Sequence, residues 1–470
     1  MQDVPLSPRP LDGLSGLARA RDLDRFRRTA AELARLLDGR ATWHVNATSS
    51  GGGVAELLHQ VLGYVLDAGI ACRWVVVEGD GPFFRVTKRI HNRLHGSLGD
   101  GGGLDAEERR VYGSVVRGEA SAFLDRARAG DVAILHDPQT AGLTGPLKEA
   151  GLRVVWVCHV GVDTPGEVAR SAWDFLRPEI EPADAYVFSR DAYVWEGLDP
   201  RKAHVIPPCI DPTSPKNAEL GATSVGAILG AAGILGPFEA WGQARVESPA
   251  LGTVRVRRRA DLVEDDPVPG GAPIAVQVSR WDRLKDHLGV LEGFAAHADP
   301  HLDAHLLLVG PSPSTVSDDP EGAEVFAEIR DAWKELPAEH RARIHLVNLP
   351  VEDRIENAVV VNALQRRADV VIQKSLAEGF GLTVAEAMWK ARPVIGSAVG
   401  GIQDQIVDGV SGLLVSPTDP AGMGRAISTL IGDLGYAQAI GHAARKRIRD
   451  RFLPPHFVRA HLEVVRTIVG

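Results

Sequence analysis

Two glutamates separated by seven residues, Glu378 and Glu386, are the first in this chain whose type and spacing suggest chemistry. Glu378 stands in the run Glu378-Gly379-Phe380-Gly381-Leu382, and Glu386 follows among good helix formers. The apolar stretch Ala368 to Ile372 ahead of them has the length and composition of a buried parallel strand. The order is then strand, glycine loop, helix N-terminus, with Glu378 on the loop and Glu386 in the first helical turn. A bound anion would meet open backbone N–H groups there and the positive end of a helix dipole. Both carboxylates also have ordinary readings: Thr383-x-x-Glu386 is a capping box, and a loop glutamate is usually solvated. Gly400-Gly401 follows the next strand-like run, Arg392 to Gly396. Open α/β sheets place ligands at the carboxyl ends of their strands, so two such loops side by side describe a pocket.

Arg280 and Lys285 form a cationic counterpart, five residues apart after the strand-like Ile274 to Val278. A guanidinium supplies a planar fork and an ammonium a compact charge, together suited to a diphosphate. The alternative is that they pair with Asp282 and Asp286. In the first half, the strand Ala41 to Asn46 leads into Ala47-Thr-Ser-Ser-Gly-Gly-Gly53, and a helical stripe from Val54 to Val65 follows. That loop lets a ligand approach the backbone closely, or is simply a tight turn. It lacks both the G-x-G-x-x-G fingerprint and the Walker lysine. Asp137, His159 and Asp163 fall at strand ends on the same kind of edge. A histidine there is more often structural, although the nearness of Asp163 makes His159 a candidate.

The elements around these residues alternate. Strands are expected at Cys72 to Glu78, Val132 to His136, Arg153 to His159 and Ala185 to Ser189, with helices at Phe83 to Leu94 and Ala106 to Arg128. A second series comprises Ile274 to Val278, His305 to Val309, Ile344 to Val347, Val370 to Ile372 and Gly412 to Val415. The proline-rich residues 1–12 are expected to be loose, with amphipathic helix from Gly13 to Leu37. The domains read as 1–211, a connector or extension at 212–272, 273–450, and a terminal helix at 451–470.

A length of 470 residues exceeds one ordinary core, and 44% hydrophobic with 24% charged residues is the composition of a soluble globular protein. The net charge of −9 argues against a general nucleic-acid binder. Cys72, Cys158 and Cys209 lack C-x-x-C spacing, so neither a disulfide framework nor a zinc site is suggested. No membrane span or apolar leader is visible, which makes a cytoplasmic location the expectation. Asp22-Leu-Asp24 points to two sides of a helix, and no metal is implied.

Glu378 to Glu386 resembles the Glu-x7-Glu signature of retaining glycosyltransferases with the GT-B fold, and Gln277 to Asp286 resembles their diphosphate-binding strand and loop. Three longer segments, His44 to Glu56, Phe83 to Asn92 and Ser375 to Trp389, resemble the trehalose glycosyltransferring synthases, and the likeness runs from about Trp43 to the C-terminus. The resemblance implies an α/β protein of two Rossmann-like domains facing across a cleft. The donor side lies in the second domain, and the terminal helix crosses back to the first. It assigns Glu386 to ribose hydroxyls, Glu378 to donor-sugar hydroxyls, and Arg280 and Lys285 to the diphosphate, with Gly379 to Leu382, Gly400 and Gly401 lining the donor. It places His159 near the reacting sugar and Asn46, Gly52, Gly53 and Asp137 on the acceptor side, with Asp163 beside them. The implied reaction moves glucose from ADP- or UDP-glucose to free glucose, giving α,α-trehalose reversibly and needing no cofactor. A trehalose phosphorylase and a sugar-nucleotide epimerase on the same fold remain open. Donor base and oligomeric state are not readable, a homodimer being one outcome. Ala47 and Ser49-Ser50 depart from the family pattern, which bears on the acceptor.

Overall fold

The computed structural model describes residues 1–50, 52–236, 244–248, 252–313 and 320–470. Gly51, part of the glycine loop singled out above, lies outside them. The chain divides into two compact units, Met1–Asp211 with Phe452–Gly470, and Pro212–Arg451.

The first unit runs through β1 (Gln2–Asp3), α1 (Ala20–Leu37), β2 (Thr42–Asn46), α2 (Gly53–Asp67), β3 (Cys72–Val76), α3 (Gly81–Leu94), α4 (Ala106–Leu124) and β4 (Val132–His136). Then come the short α5 (Asp137–Thr140) and α6 (Thr144–Glu149), β5 (Arg153–Cys158), α7 (Glu167–Ile180), β6 (Ala185–Phe188) and β7 (Ala203–Val205). The sheet order is β1-β3-β2-β4-β5-β6-β7, with every neighbouring pair parallel except β1 against β3. All residues of β2 and β4 are buried, as strands covered on both faces require. Because β3 lies on one side of β2 and β4 on the other, the chain reverses direction across the sheet there. Crevices at such a reversal are where open α/β sheets hold ligands.

The N-terminal segment differs from its expectation. β1 pairs with β3, Leu11 and Leu14 are buried, and Arg9 is ion-paired with the buried Asp211. Prolines fix an extended backbone, and an extended backbone suits a segment laid along a sheet edge and a helix flank.

The second unit contains α8 (Ala222–Ala231), the hairpin β8 (Arg245–Ser248) and β9 (Gly252–Arg255), β10 (Asp261–Val263), β11 (Ile274–Val278), α9 (His287–His297), β12 (His305–Pro311), α10 (Pro320–Glu335) and α11 (Ala338–Arg341). It continues with β13 (Ile344–Leu349), α12 (Arg354–Arg367), β14 (Val370–Gln373), α13 (Leu382–Trp389), β15 (Val394–Ser397), α14 (Ile402–Gln405), β16 (Leu413–Val415), α15 (Pro420–Gly432) and α16 (Leu434–Arg451). Its order is β10-β13-β12-β11-β14-β15-β16, parallel apart from β10. The reversal here falls between β11 and β14. Residues 212–272, which composition set apart, form part of this unit and supply its antiparallel edge strand.

The last helix, α17 (Pro454–Val469), belongs to the first unit. Its Phe457, Val458, Leu462 and Val465 join Leu23, Phe26 and Leu33 of α1 in one apolar core, the two helices burying their stripes together. Among the described residues, no helix is long and apolar enough to cross a membrane.

Candidate active site

The reversal in the second sheet brings two loops together at the carboxyl ends of β11 and β14. Leu376 N–H donates to the Leu284 carbonyl at 2.8 Å. Gln277 bridges the same loops, its Nε2 donating to the Lys285 carbonyl and its Oε1 accepting from Lys374 N–H. Across this seam Lys285 Nζ lies 2.5 Å from Glu378 Oε2, and Ser375 Oγ donates to the same oxygen at 3.2 Å. The partner expected for Lys285 on the bland reading, Asp286, is instead ion-paired with the buried Lys374 and caps α9 through Gly289 N–H. Arg280 does pair with Asp282, at 2.7 Å, but its side chain is 64% exposed, so that pair is screened by water.

Glu386 is not in a capping box. Gly381, with φ of +83°, is the N-cap of α13, and among the described residues no side chain caps that end. Thr383 is therefore inside the helix and Glu386 in its second turn. It is only 3% exposed, with Lys216 Nζ 3.5 Å from its carboxylate. Lys390, one turn further, is also buried and donates to the Glu386 carbonyl, to Asn217 and to Gln365. Burial pulls the Lys390 ammonium down to about 7, against the opposing pull of Glu386. Glu386 is thus a buried carboxylate set between two lysines, Lys216 and Lys390.

Gly400 and Gly401 pack against the loop that carries Glu378. Gly401 N–H donates to the Gly379 carbonyl at 2.9 Å, and Gln405 Nε2 holds the Phe380 carbonyl at 2.5 Å. A Cβ on Gly401 would lie 2.7 Å from the Phe380 Cα, so only glycine allows the two loops to touch. Leu382 begins α13, leaving the first amides of that helix facing the loops without a side-chain cap.

In the first unit, Asn46 ends β2 with its side chain held at both ends: Nδ2 donates to the Thr48 carbonyl and Oδ1 accepts from Trp74 Nε1. Gly52, at φ of +81°, caps α2, and Gly53 begins it. Asp137 follows β4 with φ of +63°, and its Oδ1 accepts from His159 N–H at 2.8 Å. Asp163 is paired with Arg190 at 2.5 Å. The ring partner of His159 is His136, with Nε2 to Nδ1 at 3.0 Å.

His136 extends this into a chain that the sequence reading missed. Its Nε2 meets His44 Nδ1 at 3.0 Å, and the three rings stack at 5.3 Å spacings. Burial drives His44 down to about 3 and lowers His136 and His159 as well, Asp137 partly opposing the shift at His159. Asp137 is itself raised, again mainly by burial. All three imidazoles are therefore neutral at pH 7, and each ring sets the tautomer of the next. The signal was present as a histidine in each of three strand regions. Only the strand order β2-β4-β5 turns it into a chain.

Among the described residues, no group of three or more His, Cys, Asp or Glu side chains is arranged to hold a metal ion. The family pattern for the trehalose synthase N-terminal domain matches residues 44–195, and that for glycosyl transferases group 1 matches residues 259–447. The trehalose synthase of Pyrococcus horikoshii is 36% identical over 439 residues, 93% of this chain and 92% of that one. The chain belongs to the trehalose synthase family. It is a glycosyltransferase, and its fold is GT-B. An α,α-trehalose-phosphate synthase (UDP-forming) from Burkholderia vietnamiensis shares the fold at a TM-score of 0.65 and 15% identity, over 91% of this chain and 98% of that one. Anabaena HepE in complex with UDP-glucose does so at 0.60 and 13%, over 91% and 98%. The histidine chain lies in the part matched by the trehalose synthase pattern. Lys285, Glu378 and Glu386 lie in the part shared with glycosyltransferases at large.

Proposed function

We propose that this trehalose synthase family member transfers glucose from a nucleoside-diphosphate-glucose to free glucose, with retention, forming α,α-trehalose reversibly. The observation that carries the reading is the 2.5 Å contact between Lys285 and Glu378 at the reversal of the second sheet. It puts a cation and an acceptor-only group on adjoining loops beside the uncapped N-terminus of α13. A sugar diphosphate offers each of them a better partner: phosphate oxygens for Lys285 and Arg280, sugar hydroxyls for Glu378. Glu386 then takes the ribose hydroxyls, and Gly379 to Leu382, Gly400 and Gly401 let the donor approach the backbone. On the first unit, His159 has Nε2 committed to His136, so it addresses the reacting sugars through Nδ1. Gly52, Gly53 and Asp137 are assigned to the acceptor, with Asn46 shaping the loop and Asp163 holding Arg190.

In this reading the bond from the glucosyl anomeric carbon to the diphosphate breaks as the acceptor hydroxyl approaches from the same face. The leaving phosphate oxygen takes the acceptor proton. Negative charge grows on the diphosphate, and preorganised cations stabilise it more in the transition state than in the ground state. Arg280 and Lys285 fill the role that a divalent ion fills elsewhere, so the activity is assigned no metal requirement, and its substrates place it in the cytoplasm.

The test is to incubate the protein with ADP-, UDP- and GDP-glucose in chelator, with and without glucose, and to identify products chromatographically. A non-reducing disaccharide cleaved by trehalase, formed only with both substrates, is expected. Consumption of trehalose with inorganic phosphate but not with nucleoside diphosphate would assign the phosphorylase reaction instead. Isomerised sugar nucleotide without acceptor would assign an epimerase.

A further inference from the structure

The second unit holds a pocket of about 590 Å³ that the proposed reaction does not use. Arg366 and Arg367 end α12 just ahead of β14, and Arg392 stands just ahead of β15. These cations therefore cluster at the amino ends of the strands, whereas Glu378 and Gly400 follow the carboxyl ends. Even the four residues of β14 separate the two ends by roughly 13 Å. The apolar part of its lining is Leu220, Val225 and Leu235, in and beside α8.

The charges here do not balance. Arg366 shares Glu219 with Arg445, at 2.9 and 2.5 Å, and Arg367 lies 3.2 Å from Asp369. Arg392 donates through Nη1 to the Ala368 carbonyl, and its buried Nε has no hydrogen-bond partner among the described residues. Among the described residues these four guanidiniums have two carboxylates as ion-pair partners, an excess of two positive charges. Burial, reinforced by neighbouring guanidiniums, pulls both Arg366 and Arg392 below the usual guanidinium range.

We propose that this pocket binds a phosphate monoester, its dianionic head on Arg392 with Arg366 and Arg367 and its organic body against the α8 wall. A dianion matches the surplus of two charges, and guanidinium forks match the geometry of phosphate oxygens. The volume falls within the range of small-molecule sites. The apolar wall gives the ester group a role that bare phosphate would not use. The site is separate from the donor loops, so its occupant regulates or stabilises the protein.

The experiment is calorimetric titration of the full chain with phenyl phosphate, whose body does not mimic a sugar nucleotide, and with inorganic phosphate for comparison. One phenyl phosphate per chain is expected, bound more tightly than inorganic phosphate and more weakly as salt rises. Arg392→Met weakens it at least tenfold. Since losing the Ala368 contact could disturb folding, Ala222→Trp provides a second arm. Ala222 is exposed at the first turn of α8 and lines the pocket, so tryptophan fills the space while every arginine stays. Lys285→Met serves as the donor-loop control and keeps the affinity. No binding at millimolar phenyl phosphate, or unchanged affinity in Ala222→Trp, overturns the proposal. So does loss of binding in Lys285→Met alone, which assigns the phosphate to the donor loops, or equal affinity for inorganic phosphate.

Discussion

Lys285 is either the ion-pair partner of Glu378 and no more, or the cation that meets the leaving diphosphate. One substitution separates these roles. Lys285→Ala removes a charge-assisted contact that strengthens as the leaving group gains charge, so turnover should fall about a hundredfold or more, roughly 3 kcal/mol. Stability should drop by only about 1–2 kcal/mol, because Glu378 keeps Ser375 and some contact with water. Asp282→Ala is the control: it strips Arg280 of its neighbour and uncaps the turn Arg283–Lys285, so it measures the cost of loosening that turn while Lys285 keeps its charge. Asp286 would be a poor control because it anchors Lys374 and caps α9. Initial rates at saturating donor and melting curves decide, and near-normal turnover in Lys285→Ala would remove the diphosphate assignment. Lys390 offers a pH test of the packing beneath Glu386. Its ammonium titrates near 7 when folded and near 10.5 when free. Between those values the unfolded chain holds a proton that the folded chain lacks, so folding gains as pH rises. Relative to Lys390→Met, the native protein should gain about 1 kcal/mol per pH unit across that window and show no slope below it. Denaturant unfolding at pH 6, 7.5 and 9 measures this, and a flat difference would contradict the burial account. At this scale the sequence displayed residue types and not partners. The Glu378 to Glu386 spacing is plain, yet the partner of Lys285 lies 93 positions away, where local spacing does not show it.

The elements carrying these residues were easier to read, because buried parallel strands are short apolar runs and their helices bury a regular stripe. Failures came where local pattern and tertiary geometry disagree. Thr383-x-x-Glu386 satisfies the capping-box pattern, but the left-handed Gly381 starts the helix two residues earlier and places Glu386 inside it. The proline-rich N-terminal segment reads as loose, whereas its prolines keep the backbone extended beside β3. The contact between the two glycine loops yields a prediction of its own. Gly401→Ala places a methyl group against the Phe380 backbone and the Gly379 carbonyl, so the loop ahead of α13 must shift. Overpacking of this kind costs about 1–3 kcal/mol, and the displaced loop should raise the KM for the donor at least several-fold. The KM for glucose should change little. Donor kinetics measure it, and an unchanged donor KM would mean that Gly400-Gly401 does not shape the donor pocket.

For the whole molecule, the alternation of strands and helices gave two sheets, but the order of strands within each was not legible. That order locates the reversals between β2 and β4 and between β11 and β14, and so explains why Asn46, His136 and Asp137 share one edge while Lys285 and Glu378 share another. It also makes a chain of His44, His136 and His159, which no spacing in the sequence could announce. The long motifs carry the resemblance to the family, and the proposed site roles come from that resemblance. The most direct measurement supplies glucose labelled with carbon-13 at C1 together with unlabelled nucleoside-diphosphate-glucose, and follows the products by NMR. The account predicts the label at one anomeric carbon of a non-reducing disaccharide, both anomeric protons with the small coupling of α-linkages, and one nucleoside diphosphate released per disaccharide. A β-coupled anomeric proton, or label that stays in free glucose while the donor is only hydrolysed, would contradict it.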